Sequence, residues 1–337
     1  MHGYAQQPLK PCCCDLPRMC VPSSYSEHTS GSLCLQICNR AGLNFHMLPH
    51  SSPPHPNIDE LDLVPVIERS EMQAGAQIHG TKRSFASLRS ISALMLREMS
   101  TRYGRTIGGY FWAVLEPIAA VLIMAVGFSL LLRNPPLGSN FFLFYASGFM
   151  PFFLYQQIAN LVARSISFSR PLLFYPAVTW IDAVLARFIL NALTGIMVSL
   201  ITIGTIIVML ETRTTLDAGP LVMAIVLTLL FGFGVGAVNC AISGLYPTWE
   251  IIWSIITRPL FLASGVLFIY EDMPSTIQNV LWFNPLLHIV GIFREGIYPL
   301  YDAEYVSFAF VMAVALWLSV LGLLLLRRFY LQILENG

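Results

Sequence analysis

The chain has 337 residues, of which 55% are hydrophobic and only 11% charged, and its mean hydropathy is +0.65. That composition belongs to an integral membrane protein and excludes an ordinary soluble domain. Nineteen basic residues balance nineteen acidic ones, so no cationic excess exists to hold nucleic acid, and the charges are segregated along the chain.

Residues 1–80 hold nine of the 21 prolines, six of the seven cysteines and six of the seven histidines. They contain no apolar run that could span or fold, and they read as a disordered tail. Cys12, Cys13, Cys14, Cys20, Cys34 and Cys38 could be taken for a zinc site, but their spacing fits no paired CxxC arrangement. No apolar core follows a basic start, as a signal peptide would need. A start placed too far upstream, with Met72 as the true one, is the alternative.

Residues 81–106 form the next unit. Leu88, Ile91, Met95 and Met99 fall on one face at helical spacing while Arg89 and Arg97 point elsewhere, which predicts an amphipathic helix along the inner membrane surface. It is either a simple anchor to anionic lipid, or a brace against a cytoplasmic partner and a guide for an anionic head group.

From residue 107 to about 330 the chain reads as a transmembrane domain with six spans, each near the roughly 20 residues that a hydrocarbon core requires. They are placed at about 109–132, 141–163, 181–210, 220–245, 249–270 and 305–326, with 331–337 as a cytoplasmic end. The fold class is therefore an all-α integral membrane protein. Lys82, Arg83, Arg89, Arg97, Arg102 and Arg105 precede span one, Arg164 and Arg170 follow span two, and Arg327-Arg328 follow span six. The opposite side carries only Arg133, Arg213 and Arg294, so positive charge places both termini in the cytoplasm.

Between residues 271 and 304 lies an apolar run, 280–293, interrupted by Asn284-Pro285 and too short to cross. Counting it as a span would move Arg327-Arg328 outside. It is predicted to be a re-entrant helical pair dipping into the outer half of the membrane, the alternative being an extracytoplasmic amphipathic helix.

Ionisable residues at membrane depth are candidates for function, and here they are Glu116, Asp182, Arg187, Glu250 and Arg258. Asp182 and Arg187 are spaced wrongly for an i, i+4 pair and are expected at the cytoplasmic mouth of span three, partly hydrated. Arg258 should face a polar cavity or a carboxylate, with Glu116 a candidate partner. Span two concentrates aromatics, and Phe141, Tyr145, Phe149 and Phe152 share one face. Such a face can line a path for sugar rings, whose C–H faces stack on aromatics without fixed hydrogen bonds, or it can be an interfacial belt with ordinary packing. The only lysines, Lys10 and Lys82, follow no glycine, so there is no P-loop and any ATPase must be a separate chain.

Leu94-Met95-Leu96-Arg97-Glu98, then Thr101-Arg102-Tyr103-Gly104-Arg105, Trp112-Ala113 and Glu116-Pro117 form one signature. Leu172-Leu173-Phe174-Tyr175 with Ile181 to Arg187 form a second, and Arg258-Pro259-Leu260-Phe261, Ser264-Gly265, Asn284-Pro285 and Arg294 a third. Together, over about residues 82–330, the chain resembles the ABC-2 permeases that export capsular polysaccharide. The long tail has no counterpart in those permeases.

That resemblance implies a subunit with no catalytic residues, metal or cofactor of its own, in the bacterial inner membrane. A second copy and a separate ATPase that binds ATP and Mg would be its partners, together with membrane lipid and periplasmic and outer-membrane export proteins. The cargo would be a polysaccharide, anionic or neutral, carrying a lipid anchor. Phe141, Tyr145, Phe149, Phe152 and Arg258 would line its path. Arg97, Arg102 and Arg105 would meet the lipid phosphate or the ATPase. Arg164, Arg170 and Tyr175 would belong to the coupling segment, and Trp282, Phe283 and Arg294 would gate the periplasmic end. Rival cargoes within the class are O-antigen, teichoic acid and lipo-oligosaccharide. Outside it stand a secondary transporter, for which no internal repeat is visible, and a membrane transferase, for which Glu271-Asp272 is the only acidic pair at an outer edge.

Overall fold

A computed structural model describes residues 86–102, 108–174, 178–210 and 216–336. The expected tail, Arg105 and Tyr175 lie outside the described residues. Among the described residues the chain forms ten α-helices: α1 (Ala86–Arg102), α2 (Gly109–Ser129), α3 (Phe141–Ala163), α4 (Ser165–Leu173), α5 (Trp180–Met209), α6 (Ala218–Leu245), α7 (Trp249–Ala263), α8 (Ser275–Leu281), α9 (Pro285–Glu295) and α10 (Phe308–Asn336).

Four of these, α2, α5, α6 and α10, are long and apolar enough to cross a membrane. Tyr145, Tyr155, Gln156, Gln157 and Asn160 dilute the hydropathy of the 23-residue α3, and α7 has only 15 residues. The α8 and α9 pair is bent by 100°, as either a broken span or a re-entrant pair would be.

Local chemistry sets the boundaries. Thr179 opens α5 with a capping box: its hydroxyl accepts from the Asp182 backbone N–H, and its own backbone N–H donates to Asp182 Oδ2. Asp182 is thus a buried cap, not a partly hydrated group. Asn284 serves two helices at once. Its Oδ1 accepts from Leu286 N at the start of α9, and its Nδ2 donates to Ala263 O at the end of α7. Pro285 occupies the first helical position, where the missing N–H costs nothing.

Two helices do not keep to the limits expected for their spans. Span five, placed at 249–270, stops being helical at Ala263, because Ser264 turns out of the helix and Gly265 has φ +75°, a conformation that suits glycine alone. The sixth span, expected to close at Arg327-Arg328 with 331–337 as a separate end, continues as helix to Asn336. Its last turns bury Ile333 and Leu334, and Tyr330 stacks on Trp180 with ring centroids 6.1 Å apart. Helix α1 packs on the chain through Leu94 and Glu98, which are buried, and leaves Leu88 and Met99, of the expected apolar face, exposed.

The core runs along α3, α6 and α10 as two apolar clusters. One gathers α2, the inner face of α3 and α9; the other gathers α4, the start of α5 and the end of α10. Helix α6 fits between α3 and α10 because glycines let backbones approach. A Cβ on Gly236 would meet Val162 Cβ at 2.7 Å, and one on Gly234 would meet Ser319 N at 2.9 Å.

Candidate functional site

Helix α3 carries a polar and aromatic edge that the core does not cover. On one side of this edge lies a cleft of about 620 Å³ between α3, α6 and α7. Phe149, Phe152, Phe261, Trp249 and Trp253 supply its aromatic wall, and Gln156, Asn160, Asn239 and Thr257 its neutral polar groups. Trp249 and Trp253 stack at 6.4 Å, and Trp249 Nε1 donates to Asn239 Oδ1 at 2.9 Å, so the wall is anchored to α6. Phe261 packs edge-on against Phe152 at 5.0 Å. Arg258 lines the cleft, as does the exposed pair Arg164–Glu250 at 3.2 Å. On the other side of the edge, α2 and α3 enclose a second cleft of about 530 Å³ lined by Trp112, Glu116, Phe153 and Gln157. Phe149, Gln156 and Asn160 line both.

Flat aromatic surfaces interspersed with uncharged amides and hydroxyls suit a ligand with apolar faces and hydroxyl edges. Of the four aromatics expected on one path-lining face, only Phe149 and Phe152 line a cleft. Tyr145 is fully buried and stacks on Phe128 at 5.2 Å, and Phe141 packs against the core. Helix α3 is embedded more deeply than a helix with one free face would be. Glu116 and Arg258 do not pair within the chain: α3 stands between them, and each faces its own cleft.

The end of the molecule carrying α1 and α4 is held by Arg187. Its guanidinium donates to Glu98 at 3.2 Å and to the carbonyls of Leu161 and Arg164, and it lies 4.1 Å from the centre of the Phe168 ring. Glu98 is only 3% exposed, so one buried ion pair ties α1, α3, α4 and α5 together. Arg187 was expected to be partly hydrated; the helix placed over it excludes water. Arg97 also faces Phe168, at 5.2 Å, and so sits between α1 and α4. Arg102 ends α1. Arg170 donates from Nε to Leu334 O at 3.0 Å, joining α4 to the unexpected extension of α10.

At the other end, Arg294 is 1% exposed and donates to the carbonyls of Phe268 and Val266, with its guanidinium 4.4 Å from the centre of the Phe144 ring. It pins the non-helical stretch after α7. His288 Nδ1 accepts from the Ser307 backbone N–H, which leaves the proton on Nε2 to be donated to Trp282 O at 2.7 Å; the ring is a neutral tie. Trp282 in turn donates to Tyr305 O and stacks on Phe310. Phe283 is exposed. Of the three expected gate residues, two are fixed in place and one is free to meet another surface. Outside the membrane helices, burial holds the Tyr301 hydroxyl above its ordinary pKa, so it remains a neutral donor to Glu271.

Trp249, Trp253, Thr257 and Phe261 were missed as a group in the sequence, although they recur every four residues and so share one face of α7. The Glu98–Arg187 pair joins residues 89 positions apart and has no local signal.

A family profile described as "ABC-2 type transporter" matches residues 89–298. The chain is 29% identical over 238 residues to the polysialic acid transport protein KpsM of Escherichia coli, covering 71% of this chain and 92% of that protein. It is 28% identical over 243 residues to the capsule polysaccharide export inner-membrane protein BexB of Haemophilus influenzae, covering 72% and 91%. Against the capsule polysaccharide export inner-membrane protein CtrC of Neisseria meningitidis serogroup A it is 25% identical over 241 residues, covering 72% and 91%.

Proposed function

The chain belongs to the ABC-2 type transporter family, and we propose that it is the membrane subunit of an ATP-driven exporter that moves a capsule-type polysaccharide across the inner membrane. The observation that carries this is the pair of clefts along α3, whose aromatic and amide lining suits sugar rings, in a chain whose relatives are capsule export proteins.

In this arrangement six segments cross: α2, α3, α5, α6, α7 with the stretch after it, and α10. Helices α8 and α9 dip back from the periplasmic side, and both termini lie in the cytoplasm. Tyr145 and Tyr155 of α3 are buried in the core and Gln156, Gln157 and Asn160 line the clefts, so its lower hydropathy is compatible with crossing. Helix α1 lies at the cytoplasmic surface, and α4 with Arg164 and Arg170 receives the motion of a separate ATPase, which holds the ATP and Mg. Through Arg187 and Phe168 that motion reaches α1, α3 and α5 together. Two copies pair so that their α3 edges face each other and the clefts become one channel. Phe149, Phe152 and the α7 stripe then offer successive stacking surfaces to a polymer that must slide, and Arg258 offers a charge to an acidic one. Phe283 reaches toward the exit.

Removing the chain from its host is expected to abolish surface polymer and leave it in the cytoplasm. Affinity purification of the full chain from membranes is expected to bring down an ATPase with Walker motifs. Normal surface polymer in the deletion strain, with no ATPase recovered, would contradict the assignment.

A further inference from the structure

The two clefts beside α3 differ in charge. Arg164, Arg258 and Glu250 line the one between α3, α6 and α7, whereas Glu116 is the only charged residue, among the described residues, that lines the one between α2 and α3. On α2, Gly109, Trp112, Ala113, Glu116 and Ala120 recur at helical spacing and form one wall of this second cleft. Three of the five are glycine or alanine, so only the Trp112 ring and the Glu116 carboxylate stand out from that face. The facing wall, on α3, carries the stacked rings of Phe149 and Phe153, 5.7 Å apart, and the amides of Gln156, Gln157 and Asn160. Trp112 and Glu116 are both exposed, and Glu116 makes no ion pair or side-chain hydrogen bond among the described residues. A second acceptor belongs to the same wall. Pro117 has no N–H, so the Ala113 carbonyl lacks the donor that a helix normally supplies from four residues on.

An ionised carboxylate accepts hydrogen bonds and donates none, while a sugar ring offers hydroxyl donors at its edge and an apolar face to an aromatic ring. The volume of about 530 Å³ falls within the roughly 300–1,000 Å³ that holds a small ligand. We infer that the cleft between α2 and α3 is a subsite for neutral sugar units of the cargo, in which Glu116 accepts from two adjacent hydroxyls while the ring stacks on Trp112. The three α3 amides donate to the remaining ring oxygens. Charge-assisted hydrogen bonds are stronger than neutral ones, so Glu116 carries most of the preference for free hydroxyls. The same carboxylate repels a carboxylated sugar, so the selection uses an unfavourable contact as well as a favourable one. Acidic units are left to the cleft that holds Arg258. The subsite rests on the exporter function proposed above and adds which part of the cargo it takes.

The test uses the full chain in lipid nanodiscs, labelled with fluorotryptophan and followed by fluorine NMR. Of the six tryptophan resonances, that of Trp112 is identified by its loss in Trp112→Phe. Maltohexaose, a neutral oligomer with adjacent free hydroxyls, is expected to shift this resonance. Its fully methylated form, which keeps the rings and loses the donors, is expected to leave it in place. Glu116→Gln should weaken maltohexaose at least about tenfold, and Glu116→Asp less, because aspartate keeps the charge. With an oligogalacturonate of equal length the order reverses, and Glu116→Gln should bind at least about threefold tighter than the parent. A merely structural role for Glu116 would not move the two probes in opposite directions. No shift with maltohexaose in the parent, or an equal shift with the methylated form, overturns the subsite. Equal maltohexaose affinity in the parent and Glu116→Gln removes Glu116 from it. These results leave the exporter function standing if deletion of the chain still abolishes surface polymer, whereas normal surface polymer in the deletion strain overturns that function itself.

Discussion

The protein treats the charges on its helices in two ways. Arg187 and Glu98 are buried and meet each other, and Arg187 also donates from Nη1 to two backbone carbonyls and lies against an aromatic face. Arg294 is likewise buried and donates to two carbonyls from its terminal nitrogens over the Phe144 ring, while its Nε finds no partner. Glu116 and Arg258, on α2 and α7, are left open on either side of α3. The first kind builds a rigid scaffold from α1, α3, α5 and α9. The second lines the two clefts that the proposed function assigns to the cargo.

Substitutions should therefore separate into two groups. The largest effect is expected for Arg187→Ala, which leaves Glu98 buried without its partner and should cost about 3–5 kcal/mol in thermal unfolding of the detergent-solubilised chain. Replacing both partners by Leu and Met should cost much less, since no uncompensated charge remains. Next comes Gly236→Ala, whose Cβ would meet Val162 Cβ at 2.7 Å and the Ala159 carbonyl at 3.0 Å; separating α6 from α3 should cost about 1–3 kcal/mol by the same measurement. On the open wall, Arg164→Ala breaks an ion pair whose side chains are 65% and 51% exposed, and unfolding should move by about 0–1 kcal/mol. Asn160→Leu should shift unfolding by no more than about 0.5 kcal/mol, because the side chain is exposed, yet lower surface polymer several-fold by removing an amide common to both clefts. A large stability loss at Asn160 would erase the distinction between the two regions.

Much of the frame was legible in the sequence because hydropathy and local chemistry agree there. Both ends of α3 fall where expected, and α5 and α6 begin within a few residues of the expected points, at a Thr179–Asp182 cap and at Asp217. The paired helices around Asn284-Pro285 were visible because proline stops a run too short to cross. What was not visible depends on distant partners. Helix α10 passes through Arg327-Arg328 because Ile333 and Leu334 find a home against α4 and α6, which charge alone could not reveal. Span five breaks at Ser264-Gly265 because Arg294 and Asn284, from another segment, take its carbonyls. In the candidate site, the aromatic density of span two was informative, but helical spacing alone could not tell that Tyr145 turns to the core while Phe149 and Phe152 face the cleft. Trp249, Trp253 and Phe261 belong with them, but their spacing of four along α7 reads equally well as ordinary packing.

The division between scaffold and working wall is tested most directly by placing a photoreactive amino acid at single positions of the full chain in capsule-producing cells and looking for covalently attached polysaccharide after illumination. Trp253 on the cleft wall should capture polymer, while Leu324 on the exposed face of α10 should capture none. Polymer captured at Leu324, or absent from Trp253 in cells that still export it, would contradict the path along α3 and α7.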